Sequence, residues 1–399
     1  MTRAARLTAL LALAAGAAWP AEPPRYALVD LGTLGGAESE ALGLNDAGQV
    51  VGWSLTADGN THAFLHDGTS LQDLGTLGGP DSEAHDINNR GQIVGWANIA
   101  GGESHAFLYE NGAMRDLAPG SKEGSWLDAI NNAGMAVGGS SQGDTAEVPF
   151  WWDGQRFGPL LGLEGGVGSA RDLNDTGQIV GAVRPRDGAL HAFLWDVAVE
   201  DLPELGQNEC WARAINASWQ IVGMRARGPG DAETSPVDVF LWANTKVRDL
   251  TAETGRGDWG ANDINDAGLI AGSARGGTRA VLYADGKLHE LSSLVDDLPT
   301  GFRPMVACAI NEAGTIAGYG RTAGGRTHAF LAKPAGAAPP AAEAAVKGAP
   351  SPGQPTRTAS SSAMRGSVAL ALGLVAVLVV LGFVLVLALS VLRRTRQVS

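Results

Sequence analysis

The sequence predicts an all-β fold, a seven-bladed propeller with four strands per blade, and three observations predict it. One phrase returns seven times: Leu or Ile, then Asn, a short turn usually closed by Gly, an apolar pair and another Gly. Its asparagines are Asn45, Asn88, Asn131, Asn174, Asn216, Asn265 and Asn311, spaced 43, 43, 43, 42, 49 and 46 residues apart. A steady period of this size marks a repeat architecture. Within each repeat, short strand-like runs alternate with turn signals about every 8–12 residues. The ends are also permuted: the last repeat stops after its third strand, and the chain opens on an unattached fourth.

The second repeat shows the unit. A strand over 82–88 meets the turn Asn88-Asn89-Arg90-Gly91, and a second strand runs over 92–97. A polar loop, 98–104, leads to a third strand, His105-Ala106-Phe107-Leu108-Tyr109. Asn111-Gly112 turns into a fourth, Met114-Arg115-Asp116-Leu117. The Asn of the first turn can bond backbone two residues on, and the closing Gly supplies positive φ. Asn45-Asp46-Ala47-Gly48, Asn174-Asp175-Thr176-Gly177, Asn265-Asp266-Ala267-Gly268 and Asn311-Glu312-Ala313-Gly314 obey the same rule. Repeat five places Trp219 where Gly belongs, so that turn is strained or different. Asn216-Ala217-Ser218 also fits a glycosylation acceptor, but its place in the repeated turn favours a structural role.

The third strand recurs as His62-Ala63-Phe64-Leu65, His105-Ala106-Phe107-Leu108, His191-Ala192-Phe193-Leu194 and His328-Ala329-Phe330-Leu331. Degenerate copies are Val148-Pro149-Phe150-Trp151, Asp238-Val239-Phe240-Leu241 and Arg279-Ala280-Val281-Leu282. On these residues, on Asp73-Leu74-Gly75-Thr76-Leu77-Gly78-Gly79 and on Ile87-Asn88-Asn89, the chain resembles the HAF repeat family over about residues 30–331. That resemblance implies an extracellular repeat protein and no particular activity.

Four strands per unit and seven units suit a closed propeller. The opening run Tyr26-Ala27-Leu28-Val29-Asp30-Leu31 matches the fourth strands, and is expected to complete blade seven and remove the exposed sheet edges.

The flanks assign location. Residues 1–21 carry Arg3 and Arg6 before a short apolar run, the pattern of a signal peptide. The repeats fill 22–332, and a Pro/Ala/Ser-rich stalk fills 333–365. Residues 366–392 read as one transmembrane helix, since 367–392 are 26 residues without a charge. The tail, 393–399, is basic with Arg393, Arg394 and Arg396, so it is expected in the cytoplasm with the propeller outside. No Leu-Pro-x-Thr-Gly sorting motif is present.

The formal charge is −13 although both ends are basic, so the repeat region is the acidic part. An acidic surface argues against nucleic-acid binding. The two cysteines, Cys210 and Cys308, fall in repeats five and seven and read as small buried residues rather than a disulfide.

Two places could hold a ligand. In a four-stranded meander the first and third turns share one face. The variable loops, longest over 224–237 and 292–304, share the other, and loops on a rigid frame usually carry function. Trp126, Trp211 and Trp259 begin inner strands beside that face, where they could stack on sugar rings; tryptophans also serve sheet packing. The second place is the central channel. The residue four before the repeat Asn is nearly always Ala, whereas the residue three before it changes in every blade: Leu42, His85, Asp128, Arg171, Arg213, Asn262, Cys308. Of these, His85, Asp128, Arg171, Arg213 and Asn262 are the candidate binding residues. The His-Ala-Phe histidines lie in different blades and form no metal cluster. Asp172-Leu173-Asn174-Asp175-Thr176-Gly177 has the outline of a calcium loop but lacks its fifth-position acid and distant Glu, and reads as a turn. No catalytic constellation, metal site or cofactor is implied.

Three functions fit this plan. The first is a membrane-anchored binding module for a glycan or an envelope protein. The second is a polysaccharide hydrolase or lyase with its site in the channel, for which His85, Asp128 and Arg171 are the candidate groups. The third is a structural adhesin without a discrete site.

Overall fold

The computed structural model describes residues 23–335 apart from 143–145, 161–165, 186–187, 197–198, 203–207 and 229–235. The signal peptide, nearly all of the stalk, the transmembrane helix and the basic tail lie outside the described residues. Among the described residues no helix is long and apolar enough to cross a membrane.

Among the described residues 28 strands form seven four-stranded antiparallel sheets, each a simple meander. The seven first strands are Gly35–Leu44, Gly78–Ile87, Ser125–Ile130, Val167–Leu173, Cys210–Ile215, Trp259–Ile264 and Arg303–Ile310. Each packs against the next, and the last against the first, so they form the inner wall of a closed ring. The fold is the seven-bladed propeller that the period predicts. In the second repeat the strands are Gly78–Ile87, Ile93–Ile99, Ser104–Glu110 and Ala113–Asp116. The first begins earlier than expected because Thr76 Oγ1 and Ser82 Oγ donate to Gly79 O and Gly75 O, holding the Gly-Gly segment extended. A Cβ on Gly79 would lie 2.5 Å from Ile99 O, so only glycine fits there.

The N-terminal strand closes the ring. Tyr26–Gly32 pairs with Thr327–Pro334 in the register Tyr26↔Pro334 to Asp30↔Phe330, as the fourth strand of blade seven. Tyr26 is fully buried, and its hydroxyl donates to Gly314 O at 3.1 Å. The link over 292–304, expected as a free loop, is largely consumed here. Leu294, Val295 and Phe302 join the same buried cluster as Tyr26, and Arg25 Nε donates to Asp296 at 2.7 Å.

The Asn phrase is explained by a ring of hydrogen bonds. Each repeat Asn is 1–6 % exposed. Its Oδ1 accepts the backbone N–H four residues on at 2.9–3.1 Å, which shapes its own turn. Its Nδ2 donates to the carbonyl of the next repeat Asn at 3.0–3.2 Å, in the order 45, 88, 131, 174, 216, 265, 311 and back to Asn45. The circle is unbroken. In repeat five Trp219 keeps the common turn, donating to Asn216 O, at a positive φ of 61°. The turn is therefore strained rather than different, at a cost of about 1–2 kcal/mol.

The Gly after the apolar pair answers a second constraint. Every inner strand slips register at the residue three before its Asn, a β-bulge in each blade. The slip lays a carbonyl of the inner strand over Gly52, Gly95, Gly138, Gly181, Gly223, Gly272 or Gly318, where any Cβ would overlap it.

The His-Ala-Phe strand is a packing unit. Phe64, Phe107, Phe193, Phe240 and Phe330 are essentially fully buried, and each burial is worth about 1.5–3 kcal/mol. His62, His105 and His328 bond Asp73, Asp116 and Asp30 on the fourth strand of the same blade at 2.9–3.0 Å. In blade six Arg279 and Glu290 make the equivalent pair at 2.8 Å. The Ala N–H then reaches the next blade, as in Ala63 to Ser82, Ala106 to Ser125 and Ala329 to Ser39. Cys210 Sγ accepts the same bond from Ala192, which gives that thiol its structural place; neither cysteine is in a disulfide.

Removing residues 26–31 should abolish cooperative unfolding, because blade seven would lose a paired strand and Tyr26 its buried site; a normal calorimetric transition in the truncated protein would contradict closure. Asn131→Ala should cost about 2–4 kcal/mol in denaturant unfolding, since two buried hydrogen bonds are lost and their partners stranded. The control Asn132→Ala, one residue along on the exposed turn, should cost less than about 1 kcal/mol.

Candidate functional site

The bulge residues build the site. A bulge re-aims a side chain away from the pleat, and here it turns the position three before each Asn toward the channel. Electrostatic influence across the ring fits that placement: Arg213 of blade five is influenced by Arg171 of blade four, by Asp128 of blade three and by Cys308 of blade seven.

The layer is uneven. His85 Nδ1 donates to Leu127 O at 2.9 Å and lies 3.4 Å from Asp128 Oδ1, while its Nε2 is 3.8 Å from Glu83. Burial opposes the His85 charge, yet Asp128, Glu83 and the Leu127 carbonyl raise its pKa above the ordinary value. Asp128 is 11 % exposed, accepts from Trp126 Nε1 at 3.2 Å and lies 3.7 Å from Arg171. Asn262 Nδ2 donates to Ala307 O at 2.9 Å, so it bridges to the next blade much as His85 does. Cys308 and Leu42 complete the circle, and burial pushes the Cys308 thiol upward. Arg213 differs from all of these: among the described residues no hydrogen bond or ion pair reaches it, and its Nε is sealed from solvent without a partner. Burial first, then the like charge of Arg171, pull its pKa down.

The tryptophans separate. Trp126 and Trp211 are half-buried on inner strands. Trp259 is 3 % exposed and stacked on Tyr283 at 6.1 Å, so packing removes it as a sugar platform. Of the expected loop over 224–237, residues 229–235 lie outside the described residues.

A second layer escaped the sequence reading. Two before each Asn stand Gly43, Asp86, Ala129, Asp172, Ala214, Asp263 and Ala309, with aspartates in blades two, four and six. Each aspartate accepts the next backbone N–H of its own strand and one from the following blade: Asp86 from Ile87 and Ile130, Asp172 from Leu173 and Ile215, Asp263 from Ile264 and Ile310, all at 2.7–2.9 Å. Burial raises their pKa values, Asp263 to about 6, and repulsion from others of this set adds to the rise at Asp172 and Asp263. The alternation Asp/small along the period was the available signal.

At the turn face the channel opens into a cavity of about 250 Å³ lined by the Asn turns. Its rim is a chain of turn bonds, such as Asp46 N to Asn89, Asn89 N to Asn132 and Asn132 N to Asp175, interrupted only where Ala217 has no side-chain acceptor. Glu312 on this rim is raised to about 7, by burial and then by Asp266. Toward the other face, Glu40 is raised to about 7 by burial and by Glu83. Among the described residues no group of three or more His, Cys, Asp or Glu side chains is arranged to hold a metal.

No family model matches the chain, and no curated protein matches it. The chain is similar in fold to YCF48 bound to D1 peptide, at 10 % identity and a TM-score of 0.47, over 78 % of this chain and 97 % of that one. It is similar to a Pyrococcus horikoshii acylaminoacyl peptidase at 10 % identity and a TM-score of 0.46, over 73 % and 51 %. It is also similar to a mutant of AofleA from Arthrobotrys oligospora at 14 % identity and a TM-score of 0.35, over 66 % and 89 %.

The raised carboxylates fix a pH trend. A carboxyl whose folded pKa lies above its unfolded value binds protons more tightly when folded, so the folded state gains stability as pH falls. Glu40, Glu83, Asp86, Asp172, Asp263 and Glu312 act this way; His66 and His289, lowered by burial, oppose it below about pH 6.5. The melting temperature should therefore rise from about pH 8 to about pH 5, and Glu40→Gln should flatten the part of that rise near neutrality. A maximum near pH 8 would show that these groups are not buried as described.

Proposed function

We propose that the protein is an exported binding module, a propeller displayed outside the cytoplasm on the stalk and held by the helix over 366–392. Its ligand is a glycan or an envelope protein, and a glycan fits better. The observation that carries this reading is the bulge layer. Seven positions differ in every blade and converge on one channel, while the Asn layer beside them repeats around the ring. A frame so uniform does not need that variety for stability. Trp126, joined to Asp128 and half-buried, supplies an aromatic surface beside polar groups, the combination that suits a sugar ring. The resemblance to HAF repeats supports an extracellular setting.

One observation favours a second reading, an enzyme acting on polysaccharide. His85 donates through Nδ1, which leaves Nε2 to accept a proton, and Asp128 stands beside it.

Residues 23–335 contain the whole closed ring, and that fragment can be exposed to envelope extract and to surface polysaccharides. Saturable retention of one polysaccharide, weakened about tenfold by Trp126→Ala, is the expected result. Steady consumption of a polysaccharide, abolished by His85→Ala, would favour the enzyme. Retention of nothing would leave the adhesin.

A further inference from the structure

Charge in the bulge layer does not balance. Arg171 is 3.7 Å from Asp128, which His85 also approaches. Among the described residues Arg213 has no ion pair and no hydrogen bond, and its Nε is sealed. Buried polar groups are as a rule satisfied, and a buried cation without a partner is costly. Four acids of the inner strands show what satisfaction looks like here: the three layer aspartates each accept two backbone N–H groups, and Asp128 accepts from Trp126.

We propose that Arg213, with Arg171 beside it, anchors the carboxylate of an acidic sugar, so that the channel selects uronate-bearing glycans over neutral ones. The proposal rests on the reading of the channel as a glycan site. A guanidinium with no partner of its own offers the planar donor fork that a carboxylate matches. One uncompensated positive charge calls for one negative charge. Asp128 and the Glu40 and Glu83 pair nearby would repel a doubly charged phosphate more than a singly charged carboxylate. Trp126 and Trp211 stand two residues before Asp128 and Arg213 on the same inner strands. A free peptide C-terminus would offer the same carboxylate without a ring to stack.

The test is titration calorimetry of the full chain with oligogalacturonate, mannuronate oligomers, the methyl ester of the oligogalacturonate and a peptide bearing a free C-terminal carboxylate. A uronate oligomer should bind, with affinity falling as salt rises, and the ester should bind at least about tenfold more weakly. Arg213→Gln should erase the difference between acid and ester while leaving the melting temperature unchanged or higher, because the arginine has no partner to lose. Arg213→Lys should restore part of the preference. Equal binding of acid and ester, or a preference untouched by Arg213→Gln, overturns the carboxylate anchor while the glycan reading stands. Binding of the peptide alone, or of none of the four, overturns the glycan reading and the anchor with it.

Discussion

The circle of seven asparagines is the interaction on which the rest of the molecule depends. Each amide is buried, shapes its own turn through Oδ1 and holds the next blade through Nδ2. In a low-dielectric interior such bonds are strong when made and expensive when broken. Because every Nδ2 must reach a carbonyl about 3 Å away, the rotation between blades is fixed along the whole ring. The innermost strands are then pressed so close that a Cβ on Gly43 would lie 2.7 Å from His85 O. Small residues, the bulge and the glycine of the second strand follow from that crowding.

How far the sequence could be read depended on whether a feature was local. Turn chemistry is local, so the Asn-x-x-Gly phrase announced its turns and the repeat announced the ring. The closing strand was legible because Tyr26-Ala27-Leu28-Val29-Asp30-Leu31 looks like a fourth strand with no blade of its own. Its anchoring was not. Tyr26 meets Gly314 and Val295, each more than 250 residues away, and the link over 292–304 gave no hint that it would pack there. The histidines of the His-Ala-Phe strands sit in different blades, and His62 and His105 each stand beside an acid of their own blade. Their aspartate partners stood a constant eleven residues on, at Asp73 and Asp116, and the period carried that information unread.

Orientation was the other obstacle. Trp126, Trp211 and Trp259 occupy similar strand starts and look alike in the sequence. Tyr283, on the third strand of the same blade, stacks on the buried Trp259, and no spacing rule reveals that. The channel positions were found because they change in every blade, but variety did not say which of them bond the frame. His85 and Asn262 each donate to a backbone carbonyl of the next inner strand, so part of their role is structural.

Among the charged groups of the two channel layers, satisfaction separates the frame from the proposed site. Asp172, buried among like charges, looks at first like the most perturbed group in the channel. Yet both its oxygens are occupied, one by Leu173 of its own strand and one by Ile215 of the next blade. Its discomfort is absorbed by the architecture, and the alternation of Asp with Gly or Ala leaves room for one such clasp at every second seam. Arg213 stands one layer away, crowded by the same walls, with nothing to hold. A perturbed group with its partners in place is a piece of construction; Arg213, without them, is the opening that the proposed carboxylate would fill.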